Sequence, residues 1–391
     1  MRMAMKNPFN SQGPTDPRYY SNRAKLLGLF RQSVMGVAKS KGVTKPVNIA
    51  IMGRWGIGKT STLYKFKDML AKDCKDARAF SAVIPLKPAC CMDADTFSAS
   101  ILEALFSQYK ATAKLDRKVR DFINEEVNIL GKWRLAKLSL TPEIERKERS
   151  MRAVDFSGSL IRLWKKLRAS HFDIAIIMID DIQYVINQGR GDLLFDLRTD
   201  MQTLAAEDTR FMFVITGPMS LYPEIRDAAE PFTRLFEKFD LDSFDFEGTK
   251  EMVKKPLKAE NIDLDISDDV LRKIHEMTEG HPYFVSLVMR DMLDKKPSGK
   301  VGMKEFVSLY PDLTEHFARV RFDDDFTKAT DAEKKILLKM AKSSKEEISP
   351  SDIKGSPKLL DRLVKKDMVI KLSRGKYRLY HKLFKNYLRK K

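Results

Sequence analysis

Gly53-Arg54-Trp55-Gly56-Ile57-Gly58-Lys59-Thr60 matches the pattern G-x-x-x-x-G-K-[ST], and Ser61 follows it. These residue types suit one task, holding the phosphates of a nucleotide. Glycines let a backbone turn inward, so that its N–H groups face an anion at a helix N-terminus. Lys59 would then reach the β- and γ-phosphates, and the Thr60 hydroxyl would ligate Mg²⁺. A second signal is Asp180-Asp181, two successive carboxylates after an apolar run. Asp180 would hold Mg²⁺, directly or through water, and Asp181 would orient or deprotonate an attacking water. Thr216, ahead of Gly217-Pro218, is a third candidate, able to sense a terminal phosphate or align the water. For Asp180-Asp181 and for Thr216 the plain alternative is a residue at a strand-to-turn exit.

The surrounding pattern supplies elements to position them. Val47, Ile49, Ala50, Ile51 and Met52 form an apolar, β-prone run into Gly53, which reads as a buried strand. Leu63, Phe66 and Leu70, with Lys65, Lys67 and Asp68 between them, continue past the loop as an amphipathic helix. Strand, glycine-rich turn and helix are the context that the motif needs. Ile174 to Ile179 is a second buried strand, ending at Asp180, and Phe211 to Ile215 is a third, ending at Thr216. Open parallel sheets bind ligands outside the carboxyl ends of their strands. Another strand, Phe80 to Leu86, falls between the first strand and the Asp180 strand, and is read as the extra strand of the additional-strand class of P-loop ATPases. No Asn-Lys-x-Asp guanine-reading motif is present, so ATP is the expected nucleotide, with Mg²⁺.

Length and composition narrow the class. A chain of 391 residues argues for two or three domains, and 43% hydrophobic with 32% charged residues is a globular composition. No apolar run approaches the roughly 18 residues of a membrane span, so no membrane partner is expected. Met1 to Asn10 lacks the apolar region of a secretory signal. Three cysteines cannot build a disulfide framework and fit a reducing cytoplasm. Cys90 and Cys91 have no second pair to complete a zinc site. The net charge of +18 favours polyanionic partners, nucleic acid before anionic membrane. From Ser351 to Lys391 there are 14 Lys or Arg against 3 Asp or Glu, so more than half of the excess lies at this end.

The rest of the chain divides by pattern. Residues 47–240 read as the P-loop ATPase domain, with a Lys/Glu/Arg-rich, solvated helical insertion near 110–168 anchored by Trp133, Leu135, Trp164 and Leu167. Residues 241–322 read as a helical lid, where Val270, Ile274 and Met277 and then Phe284, Leu287 and Val288 recur at helical spacing. Residues 323–391 read as a winged helix. A first helix carries Ile336, Leu337 and Met340, a second starts within Ile348 to Ile353, and a third runs from Pro357 to Lys366. A hairpin then turns at Arg374-Gly375. The third helix would enter the major groove of double-stranded DNA with Lys358, Arg362, Lys365 and Lys366. The wing would touch phosphates with Lys371, Arg374, Lys376 and Arg378. Protein docking and a merely solvated basic face remain the alternatives. The expected fold class is α/β, a P-loop ATPase parallel sheet with a helical lid and a C-terminal winged-helix domain.

Taken in order, Asn7-Pro8-Phe9, Asp16-Pro17-Arg18-Tyr19-Tyr20-Ser21-Asn22-Arg23, the phosphate loop, Asp180-Asp181, Thr216-Gly217 and Gly280-His281-Pro282-Tyr283-Phe284 resemble the archaeal AAA+/STAND-type ATPases related to origin-recognition proteins. Gly53-Arg54-Trp55-Gly56 is also similar to the KAP branch of P-loop NTPases, which usually carries membrane segments. The resemblance implies that residues 1–46 pack on the nucleotide site, with Tyr20 and Arg23 beside the adenine. Ala24 stands where the family often has an acidic residue. His281 and Pro282 would border the nucleotide from the lid, and Tyr283 takes the place of a phosphate-sensing arginine. Arg234, with Arg226 as its rival, would act as a finger on a neighbouring subunit's γ-phosphate, which implies a homo-oligomer. The implied activity is slow ATP hydrolysis driving a DNA-binding switch. The alternative is a STAND-type signalling or defence ATPase whose winged helix contacts protein.

Overall fold

The computed structural model describes residues 7–9, 13–40, 45–110, 117–138, 154–309 and 321–391. They fall into two compact units. The first comprises Arg23–Met52 and Thr62–Asp240; the second comprises Met1–Asn22, Gly53–Ser61 and Leu241–Lys391.

The apolar runs of the first unit form one five-stranded sheet from β1 (Asn48–Gly53), β2 (Ala79–Pro85), β3 (Ile174–Asp180), β4 (Phe211–Gly217) and β5 (Phe236–Leu241), in the order β2-β3-β4-β1-β5. The pairings β1 with β4, β3 with β4 and β2 with β3 are parallel. β3 and β4 are buried throughout, as strands covered by helices on both faces must be. The covering helices are α1 (Ala24–Lys39), α2 (Lys59–Lys72), α3 (Ala94–Lys110), α4 (Arg117–Leu138), α5 (Phe156–Ala169), α6 (Gln183–Asn187), α7 (Asp192–Ala206) and α8 (Tyr222–Thr233). Phe30 of α1 stacks on Phe66 of α2 with ring centroids 3.8 Å apart. Cys74 and Cys91 are buried and unbridged.

Two sequence expectations change here. A strand is inserted between β1 and β3, as the additional-strand class requires, but it is β4, whereas the Phe80 strand lies at the sheet's far edge. Chain order does not report strand order once crossover helices intervene. Secondly, α5 is core rather than a solvated insertion. Phe156, Leu160, Leu163, Trp164 and Leu167 recur at helical spacing and are buried, and Glu126 of α4 accepts hydrogen bonds from Ser159 and Arg162 at 2.9 Å each. The Trp133 and Leu135 side chains lie outside what is described, as do residues 111–116 and 139–153.

The second unit is mostly helical: α9 (Phe246–Ala259), α10 (Asp268–Thr278) and α11 (Pro282–Lys295), with a small parallel pair β6 (Leu264–Ile266) and β7 (Gly299–Val301). Then come α12 (Asp323–Lys328), α13 (Asp331–Lys342), α14 (Pro357–Lys365), the antiparallel hairpin β8 (Val369–Ser373) and β9 (Lys376–Leu379), and α15 (Lys382–Arg389). One apolar cluster runs from Phe9 through Phe284 and Phe322 to Phe384. The elements before and after residue 322 therefore share a core and cannot separate without exposing it.

At the C-terminal end, Ile348 to Ile353 is no helix. Ile348 bridges to Tyr377, its N–H 2.7 Å from Tyr377 O, and Asp352 Oδ2 accepts the Ser349 N–H at 2.7 Å. The Ser-Pro-Ser-Asp stretch spends its side chains on a turn, as such residues do. Beyond the hairpin, a further helix not expected from the sequence, α15, buries Leu383, Phe384, Tyr387 and Leu388 at helical spacing.

Candidate functional site

β1 delivers the chain into the phosphate loop, and the loop's conformation demands glycine. Gly56 has φ +73°, and a Cβ there would lie 2.9 Å from Tyr283 Cβ. Gly58 has φ +102°, a region that side chains avoid. Lys59 Nζ donates to Gly53 O at 2.8 Å and Arg54 O at 3.1 Å, so the ammonium spans the loop from the start of α2. Ser61 Oγ accepts the Thr15 N–H at 3.0 Å, which ties the N-terminal segment to the loop.

Groups from α11 and from the C-terminal module crowd the same loop. Arg54 Nη1 donates to Tyr380 O at 3.1 Å. Burial, then Arg378, pushes this guanidinium below its ordinary value, while Glu279, Asp367 and Asp242 oppose the shift. Tyr283 meets the Trp55 indole edge-on with centroids 4.6 Å apart, and the Arg321 guanidinium carbon lies 3.8 Å from the same ring's centroid. Pro282 opens α11 and is buried. His281, just before it, is buried with Nδ1 unpartnered among the described residues. Burial above all, then His381 and Arg54, holds the His281 imidazole well below its ordinary value; burial lowers His381 too.

Both histidines are thus kept neutral in the fold but would take up protons in the unfolded chain below about pH 6.5. The unfolded state then binds more protons, so stability falls as pH falls through this region and is flat above it. The slope approaches about 1.4 kcal/mol per histidine per pH unit. A thermal midpoint that declines from pH 7 to pH 5 is the expected result; a constant midpoint would contradict it.

The carboxyl ends of β3 and β4 form a separate cluster in the first unit. Asp180 and Thr216 are both buried, and Thr216 donates its hydroxyl to Asp180 Oδ1. Thr216 Oγ1 in turn accepts the Asp181 N–H at 3.2 Å. Thr216 also pairs with Ile51 across β1 and β4, one strand from the segment that enters the loop. Asp181 has φ +63°, which Asp tolerates better than most residues, and its Oδ1 accepts Gln183 Nε2 at 2.8 Å. Gln183 was not anticipated. Nothing in its sequence position marks it beyond lying two residues after Asp181.

The remaining candidates fall as follows. Tyr20 is buried in the second unit with its carbonyl 2.5 Å from Lys255 Nζ, whereas Arg23 precedes α1 in the first. Arg234 is 73% exposed and paired with Glu230 at 2.7 Å; Arg226 is also exposed, 3.7 Å from Asp227. In the C-terminal module, Lys358, Arg362, Lys365 and Arg374 are exposed. Lys366 pairs with buried Glu333 at 2.7 Å, Lys371 with Asp361 at 3.1 Å, Lys376 with Glu347 at 2.9 Å and Arg378 with Glu279 at 3.5 Å.

Residues 30–218 match the family model of the KAP family P-loop domain. No curated protein matches the chain. Among solved structures, the Walker-type ATPase of Pyrococcus abyssi is similar with a TM-score of 0.63 at 14% identity, covering 97% of this chain and 99% of that one. The Aeropyrum pernix ORC2 protein is similar in its ADP form at 0.57 and 13% identity, covering 98% of each chain. Its ADPNP-ADP complexes give 0.52 at 12% identity, again covering 98% of each. Among the described residues no helix is long and apolar enough to cross a membrane. With a glycine-rich loop at the end of β1 in a β2-β3-β4-β1-β5 sheet, the chain has a P-loop NTPase fold, similar to the KAP family P-loop domain over residues 30–218 and, in fold, to the Walker-type ATPase of Pyrococcus abyssi and the ORC2 protein of Aeropyrum pernix.

Proposed function

We propose that this chain binds and slowly hydrolyses ATP, and uses the nucleotide to control how a C-terminal winged helix engages double-stranded DNA. The observation that carries this reading is the hydrogen bond from Arg54, inside the phosphate loop, to Tyr380 O in the C-terminal module. A loop that must rearrange around phosphates is thereby bonded directly to the basic module. Residues 47–240 serve as the ATPase domain, 241–322 as the lid and 323–391 as the winged helix, with residues 1–46 packing on the nucleotide site. Tyr20 and Arg23 flank the adenine, and His281 and Pro282 border the nucleotide. Thr60 and the buried Asp180 offer hard oxygen donors of the kind that Mg²⁺ prefers, and would hold the ion that neutralises phosphate charge. Asp181 polarises the attacking water and Thr216 aligns it. Arg234, exposed on the ATPase domain, is the finger toward a neighbouring subunit in a homo-oligomer. The setting is the cytoplasm.

Phosphate contacts would come first from the exposed Lys358, Arg362, Lys365 and Arg374, whereas Lys366, Lys371 and Lys376, also exposed, would first have to leave carboxylates of this chain. Duplex DNA binding by the full chain should weaken steeply with salt, and the triple variant K358E/R362E/K365E should flatten the slope by about one per lost contact. ATP and ADP should give different affinities. One observation favours a second reading, in which the module docks protein: Lys366, Lys371, Lys376 and Arg378 are already engaged by carboxylates of this chain. ATP hydrolysis without DNA binding in any nucleotide state would decide for it.

A further inference from the structure

Tyr283, the second residue of α11, meets the Trp55 ring edge-on, and the only cation lying on that ring among the described residues is Arg321. We infer that Arg321, stacked on Trp55 of the phosphate loop, is the nucleotide-sensing arginine of this protein. The inference rests on the ATP reading above and deepens it.

Arg321 lies two residues before α12, far from the loop in sequence, yet its guanidinium carbon lies 3.8 Å from the centroid of the Trp55 ring. Trp55 is the third residue of the glycine-rich loop, so Arg321 packs directly on a side chain of the element proposed to wrap the phosphates. The Arg321 side chain is only 17% exposed. A flat, weakly hydrated guanidinium lies well on an indole in such a place, where an ammonium would not. Its carboxylate partner is Asp325, with Oδ2 at 3.0 Å, and that oxygen also accepts the Tyr380 hydroxyl at 2.9 Å. Arg321 thus shares its counter-charge with Tyr380, whose hydroxyl it also hydrogen-bonds, and a new anion would compete for these contacts.

The charge environment agrees. Burial pushes the Asp367 carboxyl above its ordinary value, while Lys59, then Arg54 and Arg321, oppose that shift. Arg54 is the less suitable sensor, because its guanidinium is bonded to Tyr380 O and stands beside Arg378. A terminal phosphoryl group brings the anionic oxygens that a guanidinium fork binds bidentately. Turning Arg321 toward it would loosen the Asp325 anchor of Tyr380, whose carbonyl Arg54 holds. The sensor would therefore also report to the C-terminal module.

The test is calorimetric binding of a non-hydrolysable ATP analogue and of ADP to the full chain, as wild type, Arg321→Ala, Arg321→Lys, Asp325→Asn and Lys59→Ala. Arg321→Ala should lose about 10- to 100-fold in affinity for the triphosphate and stay within about threefold for ADP. Arg321→Lys should recover part of the loss, and Asp325→Asn should keep or raise triphosphate affinity. Equal losses for both nucleotides, or an unchanged ratio between them in Arg321→Ala, would overturn the assignment and leave the ATP reading standing. So would a fall in affinity for both nucleotides in Asp325→Asn, since the ion pair would then be structural. If wild type binds neither nucleotide and Lys59→Ala changes nothing, the ATP reading fails, and Arg321 falls with it.

Discussion

Lys59→Ala is expected to lower ATP affinity by about a hundredfold or more while leaving the protein folded. Each charge-assisted hydrogen bond from an ammonium to a phosphate contributes about 1.5–3 kcal/mol, and Lys59 is positioned to supply two in the proposed complex. At about 1.4 kcal/mol per factor of ten, two such bonds account for two or more powers of ten. The lysine also links Gly53 O to Arg54 O within the loop, so its removal takes donors from two carbonyls. That loss costs about 1 kcal/mol per bond, a shift of a few degrees in melting temperature for a chain of this size. Titration of a fluorescent ATP analogue, beside a thermal melt, separates the two effects. An affinity within threefold of wild type would remove Lys59 from phosphate binding. A collapse of the melt would instead mean that the loop is structural before it is functional.

Not all of this was equally open to a reading of the sequence. The phosphate loop and the β3 run announce themselves because each rests on local chemistry: glycines that allow positive φ, and six consecutive apolar residues that only a doubly covered strand can bury. The pairing of Asp180 with Thr216 follows from two strand ends that were both visible, yet their adjacency depended on β4 lying next to β3, which chain order does not reveal. Contacts such as Arg54 with Tyr380 and Arg321 with Trp55 join residues hundreds of positions apart and leave no periodic trace. Ile348 to Ile353 misled for the opposite reason. Its apolar ends suggested a helix, but Ser349 and Asp352 hydrogen-bond each other's backbone and side chain and hold a turn. The basic residues at this end were easy to count, but a count does not show that Lys366, exposed like Arg362, is paired with buried Glu333.

Asp181→Asn should bind ATP within about threefold of wild type and hydrolyse it ~10²- to 10⁴-fold more slowly, the range for removing a positioned general base. Local geometry makes this substitution a clean one. Asp181 sits at φ +63°, and Asn accepts that backbone region as readily as Asp, so the turn after β3 should survive. An Asn side-chain oxygen can still accept from Gln183 Nε2, and the backbone N–H that donates to Thr216 Oγ1 is untouched. What disappears is the negative charge and with it the capacity to take a proton. Asp180 and the Thr216 hydroxyl bonded to it remain in place, so the proposed Mg²⁺ ligand is preserved and binding should not suffer. Single-turnover hydrolysis measured beside equilibrium binding separates the two quantities. Turnover equal to wild type would take Asp181 out of the chemistry and reduce it to a turn residue. Equal loss of binding and turnover would instead assign it to holding the nucleotide or its metal.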